Sequence, residues 1–313
     1  TLSLSSPLRW TGYTGVGFSR ISVNPSLSII YKLNYAWRFT VHASYKERYG
    51  EMTDLYDRPY QTDYRNSVWN CGILPVYRQQ LYSVYGEYKN TAREFFATVN
   101  LTHNREWYNR IYEQRIENGQ VQRVSLPLSN HGSGYTVKST LSKGFYDLGL
   151  KTSFLALLNI SKAEQSSGGQ RLPYQYRLMR LEPKVIWTPN RHWETSYQTD
   201  IRYGGSKIGE RTRLAPLWNV TQQVQLSYIF SPIEASLSVD HYHNDVNEDQ
   251  SVNAVFADFS VLWKSRRLQI TATATNLFDK RTYAYTRYAS LESYTSWVRI
   301  RPREFLVAIR YQL

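Results

Sequence analysis

From Trp193 to Tyr203 the chain alternates without a break, and this period of two constrains the fold more than any other feature. Trp193, Thr195, Tyr197, Thr199, Ile201 and Tyr203 share one face of an extended strand, while Glu194, Ser196, Gln198, Asp200 and Arg202 share the other. A helix would mix the two sets around its circumference, so the segment reads as a strand with one apolar and one wet side. The same alternation runs over 20–33 (Ile21, Val23, Leu27, Ile29, Tyr31, Leu33) and 37–46 (Trp37, Phe39, Val41, Ala43, Tyr45). It returns at 76–89, 93–104, 134–144, 148–161, 173–187, 217–230, 233–243, 252–264, 268–276 and 301–313. Together these segments predict about thirteen strands. The last one carries Phe305, Val307, Ile309, Tyr311 and Leu313 on a single face, so an apolar cover is expected along the whole of it.

That cover is either a second sheet or lipid. The chain has 313 residues, 42% of them hydrophobic, and no Pro/Gly/Ser-rich linker divides it, which favours one continuous architecture over 1–313. It contains no run of about eighteen apolar residues, so helical spans are excluded. A membrane is not. A transmembrane barrel strand needs only about nine to eleven residues with every second one apolar, and a mean hydropathy of −0.53 is compatible with that.

The connections decide between the two covers. Short links fall at 34–36, 89–92, 144–146, 189–191, 231–232 and 265–266, and longer polar segments rich in Tyr and Arg at 47–75, 105–133, 162–172, 204–216, 244–251 and 277–300. A strict short-long rhythm puts all tight turns at one end of the sheet and all long loops at the other, as in an outer-membrane barrel. Tyr35, Trp37, Phe145, Tyr146, Trp187, Trp193, Tyr228, Phe230, Trp263 and Tyr311 gather near the short turns, where an interfacial aromatic girdle belongs. A β-propeller would show an internal repeat, and a sandwich gives no reason for loops to be long at one end only. The fold class read here is all-β: a transmembrane, antiparallel, up-and-down β-barrel wall.

Thirty-eight Lys and Arg against twenty-five acids give a net charge of +13. The basic residues form no stripe of the kind that nucleic acid requires. Arg38, Lys46, Lys138, Lys151, Arg202 and Arg310 lie on polar faces, with Glu194, Asp200, Glu234 and Asp240 as lumenal counter-charges. Lipopolysaccharide phosphates outside, or an anionic ligand within, are the other partners such charge suits. Catalytic patterns are weak. His241 and His243 sit two apart on one strand face and lack a third metal ligand in sequence, no nucleophile motif orders the Ser, His and Asp residues, and Cys71 has no second cysteine to pair with. No enzyme activity, metal or cofactor is expected. For ligand contact, the long segments offer Tyr56, Arg58, Tyr60, Tyr64, Arg65, Trp107, Arg110, Tyr283, Tyr285, Arg287 and Tyr288, side chains that stack and that donate bidentate hydrogen bonds.

The segment from Asp258 onward, "DFSVLWKSRRLQITATATNLFDKRTYAYTRYASLESYTSWVRIRPREFLVAIRYQL", resembles the end of TonB-dependent outer-membrane receptors of the Bacteroidota. Asn276, Leu277 and Phe278 match the "NLF" that precedes a Tyr-rich loop, and Arg301, Pro302, Arg303 and Glu304 match the final "RPRE" strand. Residues 24–50 and Thr62–Asn66 resemble the middle of the same barrels. The resemblance implies about thirteen or fourteen strands of a roughly 22-stranded barrel, with any fourteenth drawn from residues 1–10. It also implies a plug domain and a coupling segment outside 1–313, contact with the TonB complex through that upstream region, outer-membrane lipid around the wall, and a surface lipoprotein as a further partner. The expected function is energy-coupled import of a nutrient across the outer membrane of a Gram-negative cell, with the C-terminus periplasmic. A passive porin, a structural barrel or, less favoured, a barrel enzyme are the alternatives.

Overall fold

The computed structural model describes residues 1–13, 17–117, 119–209, 212–247, 249–288 and 293–312, with two short 3-10 turns and 22 strands. β1 Leu2–Ser5, β2 Leu8–Tyr13, β3 Phe18–Val23, β4 Ser26–Lys32 and β5 Trp37–Tyr49 come first. β6 Tyr60–Gln61 and β7 Asn66–Trp69 follow, then β8 Val76–Asn90, β9 Phe95–Tyr108, β10 Ile111–Glu117 and β11 Gln120–Leu126. The long strands β12 Asn130–Phe145, β13 Leu150–Ser167, β14 Gln170–Asn190, β15 Trp193–Ile208, β16 Thr212–Phe230, β17 Ile233–Asp245 and β18 Ser251–Lys264 form the middle of the wall. β19 Leu268–Thr275 and β22 Glu304–Tyr311 complete it, with β20 Thr282–Tyr288 and β21 Ser293–Arg299 forming a separate hairpin between them in sequence.

Fourteen of these make one antiparallel meander, paired residue by residue in the order β1, β4, β5, β8, β9, β12 to β19, β22. The thirteen expected strands are all there, and Leu2–Ser5 adds the fourteenth. One boundary differs. The alternation over 20–33 is two strands, because Pro7 on one side of the hairpin and Pro25 on the other interrupt the ladder, neither having an N–H to donate; Asn24, opposite Pro7, donates from N to Pro7 O at 3.1 Å. Below that break β1 pairs β4 in the wall, and above it β2 pairs β3 in a separate ribbon, which takes Ile21 and Val23 off the wall.

The long-link expectation is also corrected. Segments 162–172 and 204–216 are mostly strand: β13 and β14 continue to a tight turn at Gly168 and Gly169, both at positive φ (58° and 76°), and β15 runs on to Gly209 (φ 62°). Alternation stops being apolar there while pairing goes on, since cross-strand backbone bonds do not need an apolar face. At about 3.3 Å per residue the 21-residue β14 is ~70 Å long, far more than a hydrocarbon layer requires. The hairpins therefore project from the wall as ribbons.

In an antiparallel ladder directly opposed residues share a face. The register strings Leu2, Ile29, Val41, Val84, Leu101, Val137, Leu158, Met179, Tyr203 and Trp218 into a single row across ten strands. The opposite face at the same height carries Ser3, Ser28, His42, Ser83, Thr102, Thr136 and Asn159. The apolar row is open to its surroundings: Val84 and Leu101 are each 47% exposed. Buried apolar side chains are few among the described residues: Ile111, Val124 and Ala284 belong to hairpins folded onto the wall, and Leu217, Ala254 and Ala257 to wall strands β16 and β18. Most of the wall's apolar side chains therefore face outward rather than into a core.

Two aromatic bands bound that outer face. The expected one lies by the short turns, where Trp37 packs on Tyr88 at 4.7 Å and Trp193 on Tyr228 at 4.7 Å. The second was not foreseen: His103 stacks between Tyr82 (6.4 Å) and Tyr135 (4.2 Å), and Tyr203 packs on Trp218 at 4.6 Å. From Trp193 to Tyr203 is ten residues, about 33 Å along the strand and ~25 Å in height at the usual tilt, the thickness of a barrel's apolar band.

Candidate functional site

The inner face is identified by what folds onto it. The β20–β21 hairpin leans back over the wall, held by Asn244 Nδ2 donating to Ala284 O (3.1 Å) and Thr286 Oγ1 donating to Val246 O (3.0 Å), with Tyr242 edge-on to Tyr283 at 5.2 Å. Beneath it the even-numbered positions of β15 meet a charged cluster. Arg180 grips Asp200 with two donors (3.0 and 2.9 Å) and also meets Glu182, while Arg202 reaches the same Asp200 at 2.6 Å. Two guanidinium groups thus share one carboxylate in a cavity of about 650 Å³, whose other walls are Tyr176, Asn219, Asn244, Tyr283 and Tyr285. Such a site presents cationic forks beside phenol rings and suits a ligand with acidic or hydroxyl groups.

A second hollow lies between the 50–75 connection and the β10–β11 hairpin. The two are joined because β11 runs parallel to β7, Val121 opposite Asn66 through to Val124 opposite Trp69. Arg110 Nη1 meets Asp54 Oδ1 at 2.9 Å, and the guanidiniums of Arg110 and Arg123 lie 4.9 and 3.6 Å from the Tyr112 ring centre. Glu113, only 4% exposed, ties this hairpin to the turn of β13–β14: it accepts from Arg115 Nε (2.9 Å), Ser166 Oγ (2.8 Å) and Gly169 N (3.2 Å). Those donors, Arg115 first, hold its carboxyl below the ordinary glutamate range.

The expected contact residues fall in three places. Tyr56, Arg58, Tyr60, Tyr64 and Arg65 are exposed on the 50–75 connection, where Tyr56 lies 6.1 Å from Tyr60 and Arg65 covers Tyr64 at 5.3 Å. Arg110 lies beside them, its charge engaged by Asp54. Tyr283 and Tyr285 roof the Arg180–Asp200–Arg202 cavity instead, and the side chains of Arg287 and Tyr288 lie outside the described residues. Trp107 is a strand residue, opposite Arg78 and His131 on the outer face, so it is separated from both hollows. Arg180 escaped the sequence reading. It stands between Met179 and Leu181, and only the register of β14 on β15 brings it to Asp200 and Arg202.

Of the expected lumenal charges, Arg38 meets Glu87 at 3.4 Å and Lys264 meets Glu234 at 3.2 Å, while no ion pair involves Lys138, Lys151 or Arg310 among the described residues. The histidine pair resolves into ordinary bonding: His243 contacts Asn253 Oδ1 at 2.8 Å through Nδ1 and Asp245 Oδ1 at 3.3 Å through Nε2. The two family-like motifs are physically joined. Asn276, 6% exposed at φ 49°, donates from Nδ2 to Lys280 O and Arg301 O (both 2.8 Å) and accepts from Lys280 N (3.0 Å), and Arg303 N donates to Asp279 Oδ1 (3.0 Å). Asn276 therefore closes the neck of the 277–300 loop.

No family model matches the sequence, and no curated protein matches it. Solved structures do. The FrpB iron transporter of Neisseria meningitidis (F3-3 variant) matches over 85% of this chain with a TM-score of 0.50 and 9% identity. Its F5-1 variant matches over 86% with a TM-score of 0.49 and 9% identity, and the ferric yersiniabactin uptake receptor FyuA of Yersinia pestis over 93% with 0.43 and 8%. The chain spans 44%, 44% and 50% of those structures' lengths. At this identity the first match shows a shared fold, the wall of an outer-membrane β-barrel.

Proposed function

We propose that residues 1–313 are the C-terminal part of the barrel wall of a TonB-dependent receptor, of the Bacteroidota type, that imports a nutrient across the outer membrane. The observation that carries this reading is the two-sided wall. An apolar outer face is bounded by two aromatic bands, and the inner face holds a charged cavity roofed by a hairpin from the loop side. The exposed Tyr56–Arg65 cluster meets the ligand first, and Arg180, Arg202, Tyr283 and Tyr285 then hold it above the lumen. β1 and β22 stand at opposite ends of the paired run, and every residue of β22 is exposed. Further strands of a larger barrel fit between them, and a plug and a TonB-contacting segment upstream complete the receptor. The iron transport named for the structural match makes iron chelates one class of ligand to test, beside sugars and peptides.

The experiment uses cells making the natural full-length protein. Labelled iron chelates, oligosaccharides and peptides are offered with and without an uncoupler of the proton-motive force. Uptake that needs both the protein and the force, and that Tyr283→Ala with Tyr285→Ala removes at normal surface display, is the expected result. Uptake that persists after uncoupling would favour the passive porin, for which the fourteenth strand is the supporting observation.

A further inference from the structure

Four residues below the row that ends at Tyr203 and Trp218, the outer face changes character from one sector to the next. On β9, β12, β13 and β14 the side chains at this level are Ala97, Leu141, Phe154 and Pro183. On β15, β16 and β17 they are Thr199, Gln222 and His241, each directly opposite the next. Their surroundings stay apolar. Val220 and Val224 stand above and below Gln222 on the same face, Val239 stands below His241, and Val255 lies opposite it.

Gln222 lies four residues below Trp218, about 13 Å along the strand and ~10 Å in height at the usual tilt, so it sits inside the apolar band. Among the described residues no hydrogen bond or ion pair reaches the side chain of Gln222 or His241. One step higher, His243 is engaged at both ring nitrogens, by Asn253 and Asp245. Thr199 is covered by its own chain at 3% exposure, whereas Gln222 and His241 stay partly exposed. An amide and an imidazole that face hydrocarbon lose their bonds to water and gain none in return. Lipid headgroups lie too high to supply those bonds, and so does any partner that ends at the membrane surface. An occupant that satisfies the row must itself cross the membrane and carry polar groups at matching height.

We infer that the outer face of β15 to β17 is the contact surface for a second copy of this chain. A two-fold axis along the membrane normal sets equal depths against each other, so Gln222 and His241 meet the same two side chains of the other copy. The match is self-complementary, because an amide and a neutral imidazole each carry a donor and an acceptor. Val220, Val224 and Val239 pack around the polar pair and keep lipid out. The inference rests on the membrane reading above.

The test mixes donor- and acceptor-labelled copies of the natural full-length protein in phosphatidylcholine vesicles and follows energy transfer as added lipid dilutes them. Wild type should dimerise. Because two-fold symmetry removes each lost hydrogen bond twice, Gln222→Leu should raise the dissociation constant about thirtyfold. Leu101→Ala, on the outer face of β9, should leave it unchanged. A second measurement reads the contact itself: Gln222→Cys in a Cys71→Ser background, oxidised within the bilayer, should link two copies, and Leu101→Cys in the same background should not. Wild type that stays monomeric at every dilution overturns the inference, as does a Gln222→Leu dimer of wild-type strength or a crosslink to a protein other than this chain. Should Gln222→Leu fail to fold, the crosslink decides alone. Quenching of tryptophan by a bilayer-dissolved quencher is read in the same vesicles. If it is absent the membrane reading falls, and if it is present without energy transfer the dimer alone falls.

Discussion

Asn276 offers the sharpest test of how this wall holds its loops. Its side chain makes three hydrogen bonds that bridge both ends of the 277–300 loop, and its backbone sits at φ 49°. Removing the amide by Asn276→Gly keeps that backbone accessible but deletes the three bonds. At about 1 kcal/mol each this costs ~3 kcal/mol of local stability, or roughly a hundredfold in the population of the opened neck. Asn276→Ala deletes the same bonds and adds about 1 kcal/mol, because a residue with a Cβ and no short polar group is strained in the left-handed region. Trypsin reads the opening directly, since Lys280 and Arg281 lie inside the clamp. Cleavage there, at protease levels where opening equilibrates, should rise ~100-fold in the glycine variant and about fivefold more in the alanine variant. If glycine and alanine behave alike, the backbone argument is wrong. If neither speeds cleavage beyond about threefold, the amide is not what closes the neck.

Thr199→Arg, at mid-height on the outer face of β15, should cost about 2–4 kcal/mol and lower the temperature at which the folded band is lost on electrophoresis, whereas Gln198→Arg, facing the lumen, should change it little. Thr199→Val should be neutral or stabilising in the same assay, because Thr199 is 3% exposed and its hydroxyl has no hydrogen-bond partner among the described residues. Glu113 sets a pH dependence: its folded pKa lies below the unfolded value, so the stability it lends is complete above about pH 4.3 and is lost as pH falls through the folded pKa. Exchange of the Gly169 amide should therefore lose protection on acidification, and Glu113→Gln should remove that dependence. Gly149→Ala should destabilise the β12–β13 turn by more than 1 kcal/mol in urea unfolding, since Gly149 has φ 58° and an added Cβ would strike Thr188 O.

What the sequence determined is whatever depends on neighbours two apart. Alternation marked thirteen strands, their faces and the short turns, because a pleated strand sends successive side chains to opposite sides whatever lies beyond. It also placed the short-turn aromatic girdle and, through the two motifs, the start and end of the last loop. Alternation says nothing about register. Whether Arg180 meets Asp200, whether Tyr82, His103 and Tyr135 form a band, and whether Gln222 lies beside His241 are decided by which residue of one strand lies opposite which of the next. The projecting ribbons were missed for a related reason. Beyond the apolar layer nothing requires one face to be apolar, so β13 to β16 go on pairing after their period-two signal has ended, held by backbone bonds that carry no side-chain signature.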